Sequence, residues 1–206
     1  MRVRLLKKNT KSKAEIRKKE ILDAALKCFN KKGYYKTSLD DIAAKIGVTK
    51  AALYYYFKSK KKLFIDLFIF SIDRYFEKTT KDVQYPENDP VGFLRNRVER
   101  SAEVFKQNID LFQFCLEFLS VSTKDAEIKK QVTNFYEHRV KEFAHMIQRG
   151  IDEGNFKACD AQTVGVLFYY MSIGSFLTYF SVNKPIDRVL HFKIFIDLFY
   201  NGLMKK

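Results

Sequence analysis

The sequence predicts an all-α protein with a small N-terminal helical domain and a larger helical bundle after it. The 206 residues include only 8 Gly and 3 Pro, well below average usage of roughly 7% and 5%, so residues that form tight turns are scarce. Apolar residues recur at intervals of three and four, the spacing of amphipathic helices, and the alternating pattern of strands is missing. Both observations favour long helices joined by short connections.

The excess positive charge is confined to the first third of the chain. The formal net charge is +14, and residues 1–62 hold 19 Lys and Arg against 5 Asp and Glu, whereas residues 63–206 hold 19 of each. A basic segment indicates a polyanionic partner such as DNA. The neutral, aromatic-rich remainder is expected to bind a second copy of itself or an apolar molecule.

Two helices are predicted in the basic third before its turn. The first is predicted over residues 15–33, and Gly33 is expected to end it. Its apolar residues recur at helical spacing at Ile21, Leu22, Ala25, Leu26 and Phe29. The second helix begins after Ser38, whose hydroxyl is expected to accept from the backbone N–H of Asp41 and so cap the helix.

A short connection at residues 47–49 leads into a third helix over residues 50–57, an arrangement typical of a helix-turn-helix. Thr49 is the expected N-cap of this helix. Leu53 and Phe57 are expected to face the core, since they are four residues apart. The opposite face then holds Lys50, Ala51, Tyr54 and Tyr55. Small residues let a helix approach a groove, and a lysine and two phenols can reach base edges and phosphates.

Ser59 is the expected N-cap of a fourth helix. Four lysines surround it, namely Lys58, Lys60, Lys61 and Lys62. Backbone N–H groups at a helix start beside ammonium groups would form a phosphate clamp.

These residues together resemble the DNA-binding domain of the TetR family of transcriptional regulators. The matching segments, in order and spacing, are 21–29, 33–34, 37–38, 42–43, 47–48, 53–57 and 59–63. Two positions depart from the common pattern, since Tyr56 stands where many members have His and Thr49 stands where Ser is common. Both replacements keep a hydrogen-bonding group, so DNA binding remains the expected activity.

The resemblance implies roles for individual residues. Lys50, Ala51 and Tyr54 fall on positions that face bases. The phosphate-contacting set is predicted to be Thr37, Thr49, Tyr55, Tyr56 and Lys60. The alternative is that residues 54–57 form an aromatic core stripe and the lysines a solvated face. Four consecutive aromatic residues cannot all point inward on one helix, which favours the DNA-binding interpretation.

The chain is therefore divided into a basic flexible arm at 1–14, a helix-turn-helix DNA-binding domain at 15–62 and a helical ligand-binding and dimerisation domain at 63–206. The arm either contacts phosphates or the minor groove or is a solvated tail. A loop is predicted at 85–90, with Pro90 at the first position of the following helix. Further helices are predicted near 60–81, 91–106, 110–119, 125–149, 160–182 and 186–204.

The segment 161–183 contains no charged residue and is long enough to cross a bilayer. Its many hydroxyl and amide side chains favour a bundle helix over a membrane span. A helix that is apolar around most of its circumference needs cover on two sides, and a second copy of the chain could supply one. The predicted dimer interface consists of Tyr170, Ile173, Leu177, Phe195, Leu198 and Phe199. A larger monomeric core is the alternative.

The middle helices are rich in Phe, which predicts either a packed core or a cavity for a small hydrophobic molecule. The candidate lining residues are Phe68, Arg97, Ser101, Phe105, Phe112, Phe118, Tyr136, Phe143 and Phe168. Ligand identity cannot be read from these residue types.

No catalytic residue, cofactor or metal site is predicted. His138, Glu142 and His145 share a helix face, but a single Glu-x-x-His motif lacks the second copy that di-metal bundles need. Three cysteines without C-x-x-C spacing argue against a disulfide scaffold or zinc module and favour a cytoplasmic setting.

The sequence thus predicts a ligand-responsive repressor, a homodimer that binds a palindromic operator in double-stranded DNA and is released by a small hydrophobic effector. A two-fold dimer reads both halves of a palindrome, which one short recognition helix cannot do. The alternative is a ligand-independent architectural or partner-regulated DNA-binding protein of the same fold.

Overall fold

The computed structural model describes residues 12–80 and 90–203, which form nine α-helices and no strand. The predicted all-α class is confirmed. The helices are α1 (Lys13–Lys36), α2 (Leu39–Lys45), α3 (Lys50–Tyr56), α4 (Lys60–Thr80), α5 (Pro90–Gln107), α6 (Ile109–Ser122), α7 (Ala126–Asp152), α8 (Ala161–Ser181) and α9 (Arg188–Leu203). Most of the predicted arm and the loop before Pro90 lie outside the described residues.

The chain divides into two compact units, Met1–Leu67 and Phe68–Lys206, here called the N-terminal and C-terminal units. The boundary falls inside α4, so this helix belongs partly to each unit. Helices α4 to α9 agree with the predicted segments to within three residues at each end, and α5 begins at Pro90 as expected. The first helix is interrupted at Gly33 (φ 75°, ψ 167°), and a last helical turn continues to Lys36.

Side-chain caps define where the helices of the N-terminal unit begin. Ser12 and Glu15 form a reciprocal capping box at α1. The Ser38 hydroxyl accepts from the backbone N–H of Asp41 at 3.1 Å, and Thr49 Oγ1 accepts from the N–H of Ala52 at 3.2 Å. The Ser59 hydroxyl does the same for the N–H of Lys62 at 3.0 Å. The three predicted N-caps are therefore confirmed.

The core of the N-terminal unit joins α1, α2, α3 and α4. Leu53 and Phe57 are both 0% exposed, which confirms their predicted core positions. Phe29 of α1 meets Phe64 of α4 edge to face, with ring centroids 4.9 Å apart. Burying one such side chain contributes about 1.5–3 kcal/mol, so these four side chains supply much of the stability of a small unit.

In the C-terminal unit, α7 and α8 pack closely along their length. The rings of Tyr136 and Tyr169 lie 4.9 Å apart, and those of Phe143 and Phe168 lie 5.2 Å apart. Gly165 permits the approach, because a Cβ there would lie 2.6 Å from the backbone oxygen of Val140. Among the described residues, α8 is the one helix long and apolar enough to cross a membrane. Its packing against α7 instead makes it a member of the bundle.

Replacing Gly165 with alanine is expected to destabilise the C-terminal unit by about 1–3 kcal/mol, because the backbone of α7 must move to admit the methyl group. Urea-induced unfolding followed by circular dichroism measures the change. Gly202→Ala is the control, since a Cβ at Gly202 meets nothing within 4 Å. Equal stabilities for the two variants would show that α7 and α8 are not held at this distance.

Candidate nucleic-acid interface and ligand cavity

The turn between α2 and α3 sets the direction of α3. Gly47 adopts φ 66°, a left-handed conformation that glycine enters at little cost. The backbone N–H of Val48 donates to Ala43 at 3.1 Å and closes the turn. The Thr49 cap then starts α3 directly, so that α2 and α3 are joined by four residues.

An ion pair fixes the start of α2 against α1. Lys32 Nζ donates to Asp41 Oδ1 at 2.5 Å, and the backbone N–H of Ser38 donates to the other oxygen of the same carboxylate at 2.8 Å. These hydrogen bonds, with Lys32 contributing most, hold the pKa of Asp41 well below its usual range. The Asp41 carboxylate thus links Lys32 of α1 to Ser38, the N-cap of α2.

The outward face of α3 carries the residues predicted to face bases. Lys50 and Ala51 are exposed, Tyr54 is 41% exposed and Tyr55 is 78% exposed, while Leu53 is buried. Residues 50, 51, 54 and 55 lie one turn apart on a helix, so they form one continuous surface. The structure brings the three predicted base-facing residues together on it.

Lys50 forms an ion pair with Asp40 of α2. Its Nζ donates to Asp40 Oδ2 of α2 at 2.8 Å, and this hydrogen bond raises the pKa of the lysine. Both side chains are more than half exposed. An exposed pair of this kind is weak, so a base edge or phosphate can compete for the ammonium group.

The predicted phosphate-contacting residues have different surroundings. Tyr55 and Tyr56 contact each other edge to face, with ring centroids 5.2 Å apart, and Thr49 keeps its hydroxyl hydrogen after accepting from Ala52. Lys60 Nζ donates to the carbonyl oxygens of Tyr34 at 2.8 Å and Tyr35 at 3.3 Å. Burial lowers the pKa of Lys60. Its ammonium group has three N–H donors, so one remains for a phosphate.

Thr37 lies inside the N-terminal unit instead of on the surface expected for a phosphate contact. It is 2% exposed, and its hydroxyl lies within hydrogen-bonding distance of the carbonyl oxygens of Gly33 at 2.7 Å and Cys28 at 3.2 Å. The single hydroxyl hydrogen of Thr37 is shared between these two carbonyl oxygens, one of which belongs to Gly33, where α1 is interrupted. Its side chain therefore supports the end of α1.

The C-terminal unit contains a cavity of about 210 Å³ among α4 to α9. Predicted residues that line it are Phe68, Arg97, Ser101, Phe112, Phe143 and Phe168. An apolar cavity of about 150 Å³ suffices for a benzene-sized molecule, so this one can hold a small organic ligand.

Three predicted lining residues lie elsewhere. Phe112 lines the cavity from α6. Phe118 is six residues further along the same helix and therefore lies on another side of it. Its ring stacks on that of Phe68, with ring centroids 4.0 Å apart. Tyr136 contacts Tyr169, and Phe105 contacts Phe112, Tyr179 and Phe180. The abundance of aromatic residues in the sequence does not show which of them line the cavity and which pack elsewhere.

The polar groups of the cavity were mostly missed from the sequence. Tyr75 hydrogen-bonds to Ser101, and Arg139 and Arg188 also line the cavity. Charged residues are normally exposed, so nothing in the sequence marks these arginines as interior. Cys115 lines the cavity as well, and burial raises the pKa of its thiol to about 12, which makes it an inert apolar side chain.

The residues predicted to form a dimer interface face in two directions. Tyr170, Leu177 and Leu198 are exposed, at 57%, 40% and 71%. Ile173 lines the cavity, while Phe195 and Phe199 contact the ring of Phe168. Three further exposed apolar residues lie on the same two helices: Leu167, Leu190 and Ile194.

The histidine cluster noted in the sequence has no special geometry. His138 Nε2 lies 3.9 Å from Glu142, which also pairs with Arg139. Within residues 12–80 and 90–203, no group of three His, Cys, Asp or Glu side chains is placed to hold a metal ion.

Comparisons with known proteins identify bacterial transcriptional regulators as similar. Residues 21–67 match the family model of bacterial regulatory proteins, tetR family. The chain is 49% identical over 103 residues to IcaR of Staphylococcus aureus, a negative transcriptional regulator of the biofilm operon icaADBC, covering 50% of this chain and 45% of IcaR.

Two further matches extend over most of the chain. The HTH-type transcriptional regulator YfiR of Bacillus subtilis is 25% identical over 169 residues, covering 81% of this chain and 82% of YfiR. A protein from Saccharomonospora viridis, crystallised in complex with choline, has the same fold, with a TM-score of 0.77 at 19% identity over 93% of this chain and 100% of its own.

Asp41→Asn is expected to destabilise the protein near neutral pH and to make little difference in acid. Because folding lowers the pKa of Asp41, its contribution is fully present above about pH 4 and is lost as the pH falls through the lower folded pKa. Urea unfolding at several pH values from about 7 to about 2 measures the difference in free energy of unfolding between the wild-type protein and Asp41→Asn. This difference is expected to become smaller as the pH falls. Asp23→Asn, at an exposed position of α1, is the control. A difference in free energy of unfolding that does not change with pH would contradict the stabilising role of the Asp41 carboxylate.

Proposed function

Because the chain belongs to the TetR family of transcriptional regulators, we propose that it is a cytoplasmic repressor that binds a palindromic operator as a homodimer and is released by a small effector. The family consists of DNA-binding regulators and not of enzymes. The outward face of α3 is the observation on which the proposal rests, since it places Lys50, Ala51 and Tyr54 on one exposed surface.

In this proposal α3 enters the major groove. Ala51 lets the helix approach the base pairs, while Lys50 donates to guanine O6 or N7 and Tyr54 reaches neighbouring edges. Tyr55, Tyr56, Thr49 and Lys60 hold phosphates on either side. These neutral and cationic donors fix the position of the helix, whereas the base-facing residues select the sequence.

A second copy of the chain is proposed to cover the exposed apolar face of α8 and α9. On α8 this face holds Leu167, Tyr170 and Leu177, and on α9 it holds Leu190, Ile194 and Leu198. The α9 residues are spaced four apart, so they form one stripe along the helix. Exposed apolar residues in such a stripe are typical of an interface. Two-fold pairing through it gives the dimer two recognition helices for two half-sites.

The effector is proposed to occupy the cavity of the C-terminal unit. The binding of choline by a protein of the same fold supports a ligand site in such a bundle. Helix α4 carries Lys60 at its start, and further along it Ile72, Tyr75 and Phe76 line the cavity. We therefore propose that α4 differs in conformation between the DNA-binding protein and the released protein. A ligand that binds the released conformation more tightly shifts the equilibrium away from DNA binding.

Selection of binding sites from randomised duplex DNA tests this function. The purified protein at near-physiological salt is expected to enrich a two-fold symmetric motif. Tight, salt-sensitive binding without any enriched motif would contradict the repressor proposal and support an architectural DNA-binding protein instead.

Lys50→Ala is expected to reduce sequence preference by about 1–3 kcal/mol per half-site, because it removes a base contact. Fluorescence anisotropy with the selected operator and with random DNA measures both affinities. Lys27→Ala, at an exposed position of α1, removes the same charge away from α3. If Lys50→Ala weakens both DNAs equally, Lys50 contacts a phosphate and not a base.

Leu198→Glu is expected to convert the dimer to a monomer, because the new carboxylate would be buried without a partner in the proposed interface. Sedimentation equilibrium measures the mass. Ile69→Glu is the matched control, since Ile69 is also an exposed apolar residue but lies on α4. A dimer that persists in Leu198→Glu would place the interface elsewhere.

A further inference from the structure

Three arginines from three different helices line the cavity of the C-terminal unit. Arg97 comes from α5, Arg139 from α7 and Arg188 from the first turn of α9. Arg139 is only 7% exposed, and the other two are partly buried. Charged side chains are rarely buried, so three arginines at one small cavity distinguish it from an ordinary apolar core.

Two of the guanidinium groups are held in place by aromatic rings. The Cζ atom of Arg139 lies 4.0 Å from the ring centroid of Phe76 and 5.0 Å from that of Phe143. The Cζ atom of Arg188 lies 4.0 Å from the ring centroid of Phe105, and its Nε donates to Ser175 Oγ at 3.0 Å. Stacking uses the faces of these groups and leaves N–H donors at their edges for another partner.

The charged side chains that line the cavity, among residues 12–80 and 90–203, are all arginines. Glu142 pairs with Arg139 and also acts on Arg97 from nearby. Three positive charges therefore line a mostly apolar space.

Tyr75 and Ser101 line the same cavity as the three arginines and hydrogen-bond to each other. Burial raises the pKa of the Tyr75 phenol, and each of the three arginines acts on it in the opposite direction. All three positive charges are therefore felt at the Tyr75–Ser101 pair.

We propose that the effector is an organic monoanion, a carboxylate on an apolar body, whose carboxylate contacts Arg97, Arg139 and Arg188 beside Tyr75. This assignment rests on the proposed function and names the ligand class of its effector site. The apolar body packs on Phe68, Phe112 and Phe168, which line the same cavity. Charge-assisted hydrogen bonds from guanidinium groups are stronger than neutral ones, so the site distinguishes a carboxylate from its amide.

Isothermal titration calorimetry with matched probes tests the assignment. The probes are straight-chain carboxylates from hexanoate to decanoate and phenylacetate, each paired with its neutral amide, together with octylammonium as a cation. At least one carboxylate is expected to bind about ten-fold more tightly than its amide, and octylammonium is expected not to bind. Amides that bind as tightly as their acids, or no binding by any carboxylate at millimolar concentration, would overturn the assignment.

Variants distinguish this site from adventitious anion binding to a basic protein. Arg97→Gln is expected to reduce the preference for carboxylate over amide by about ten-fold. Arg100→Gln is the matched control, because Arg100 lies on the same helix but donates to the carbonyl oxygen of Lys78 and does not line the cavity. Equal effects of the two variants would overturn the assignment.

Arg139 needs a paired substitution, because its removal alone would leave Glu142 without its guanidinium partner. The double variant Arg139→Gln with Glu142→Gln, and separately Arg188→Gln, keep the test valid if Arg97→Gln fails to fold. Both are expected to lower the preference for carboxylate, and an unchanged preference in both would overturn the assignment.

Calorimetry without DNA separates this inference from the repressor function. If the protein enriches no operator but still prefers a carboxylate, the repressor function is contradicted and the anion site is supported. If it enriches an operator yet prefers amides, the repressor function is supported and the anion site is contradicted.

Discussion

Leu53 and Phe57 are both fully buried, and because they are four residues apart they determine the rotation of α3 about its own axis. The surface proposed to face DNA depends on that rotation. With these two side chains inside, Lys50, Ala51 and Tyr54 must point outward together. A rotation of one residue, about 100°, would bury the lysine and expose the apolar edge, at a cost of several kcal/mol.

The remainder of the N-terminal unit holds α3 in this position. Asp41 links the start of α2 to Lys32 of α1, and the left-handed Gly47 turns the chain into the Thr49 cap. Lys60 bonds to the carbonyl oxygens at the end of α1 and so joins the first and fourth helices. Each of these polar contacts contributes little to the free energy of unfolding. Together they determine how the four helices are arranged around the apolar core.

The C-terminal unit uses burial in a different way. Its helices leave a cavity into which three arginines project, although buried cations oppose folding. Rings of Phe76, Phe143 and Phe105 and the carboxylate of Glu142 reduce that penalty. These arginines are the groups on which the proposed effector site depends.

Local patterns in the sequence were enough to predict the helices, the three N-caps at Ser38, Thr49 and Ser59, and the two faces of α3. These features depend on residues within one or two turns of each other, such as Ser38 with Asp41 or Leu53 with Phe57, so periodicity and capping rules apply directly. The roles of the outward residues on DNA remain predictions.

Tertiary structure alone decided what lies inside the C-terminal unit. Arg97, Arg139 and Arg188 come together from three helices, and no local rule places a charged residue in a core. The same holds for Ile173, Phe195 and Phe199, which were predicted for a dimer interface and which, though partly exposed, line the cavity or contact the ring of Phe168. Which side of an apolar helix is covered depends on the neighbours it packs against, and those are distant in sequence.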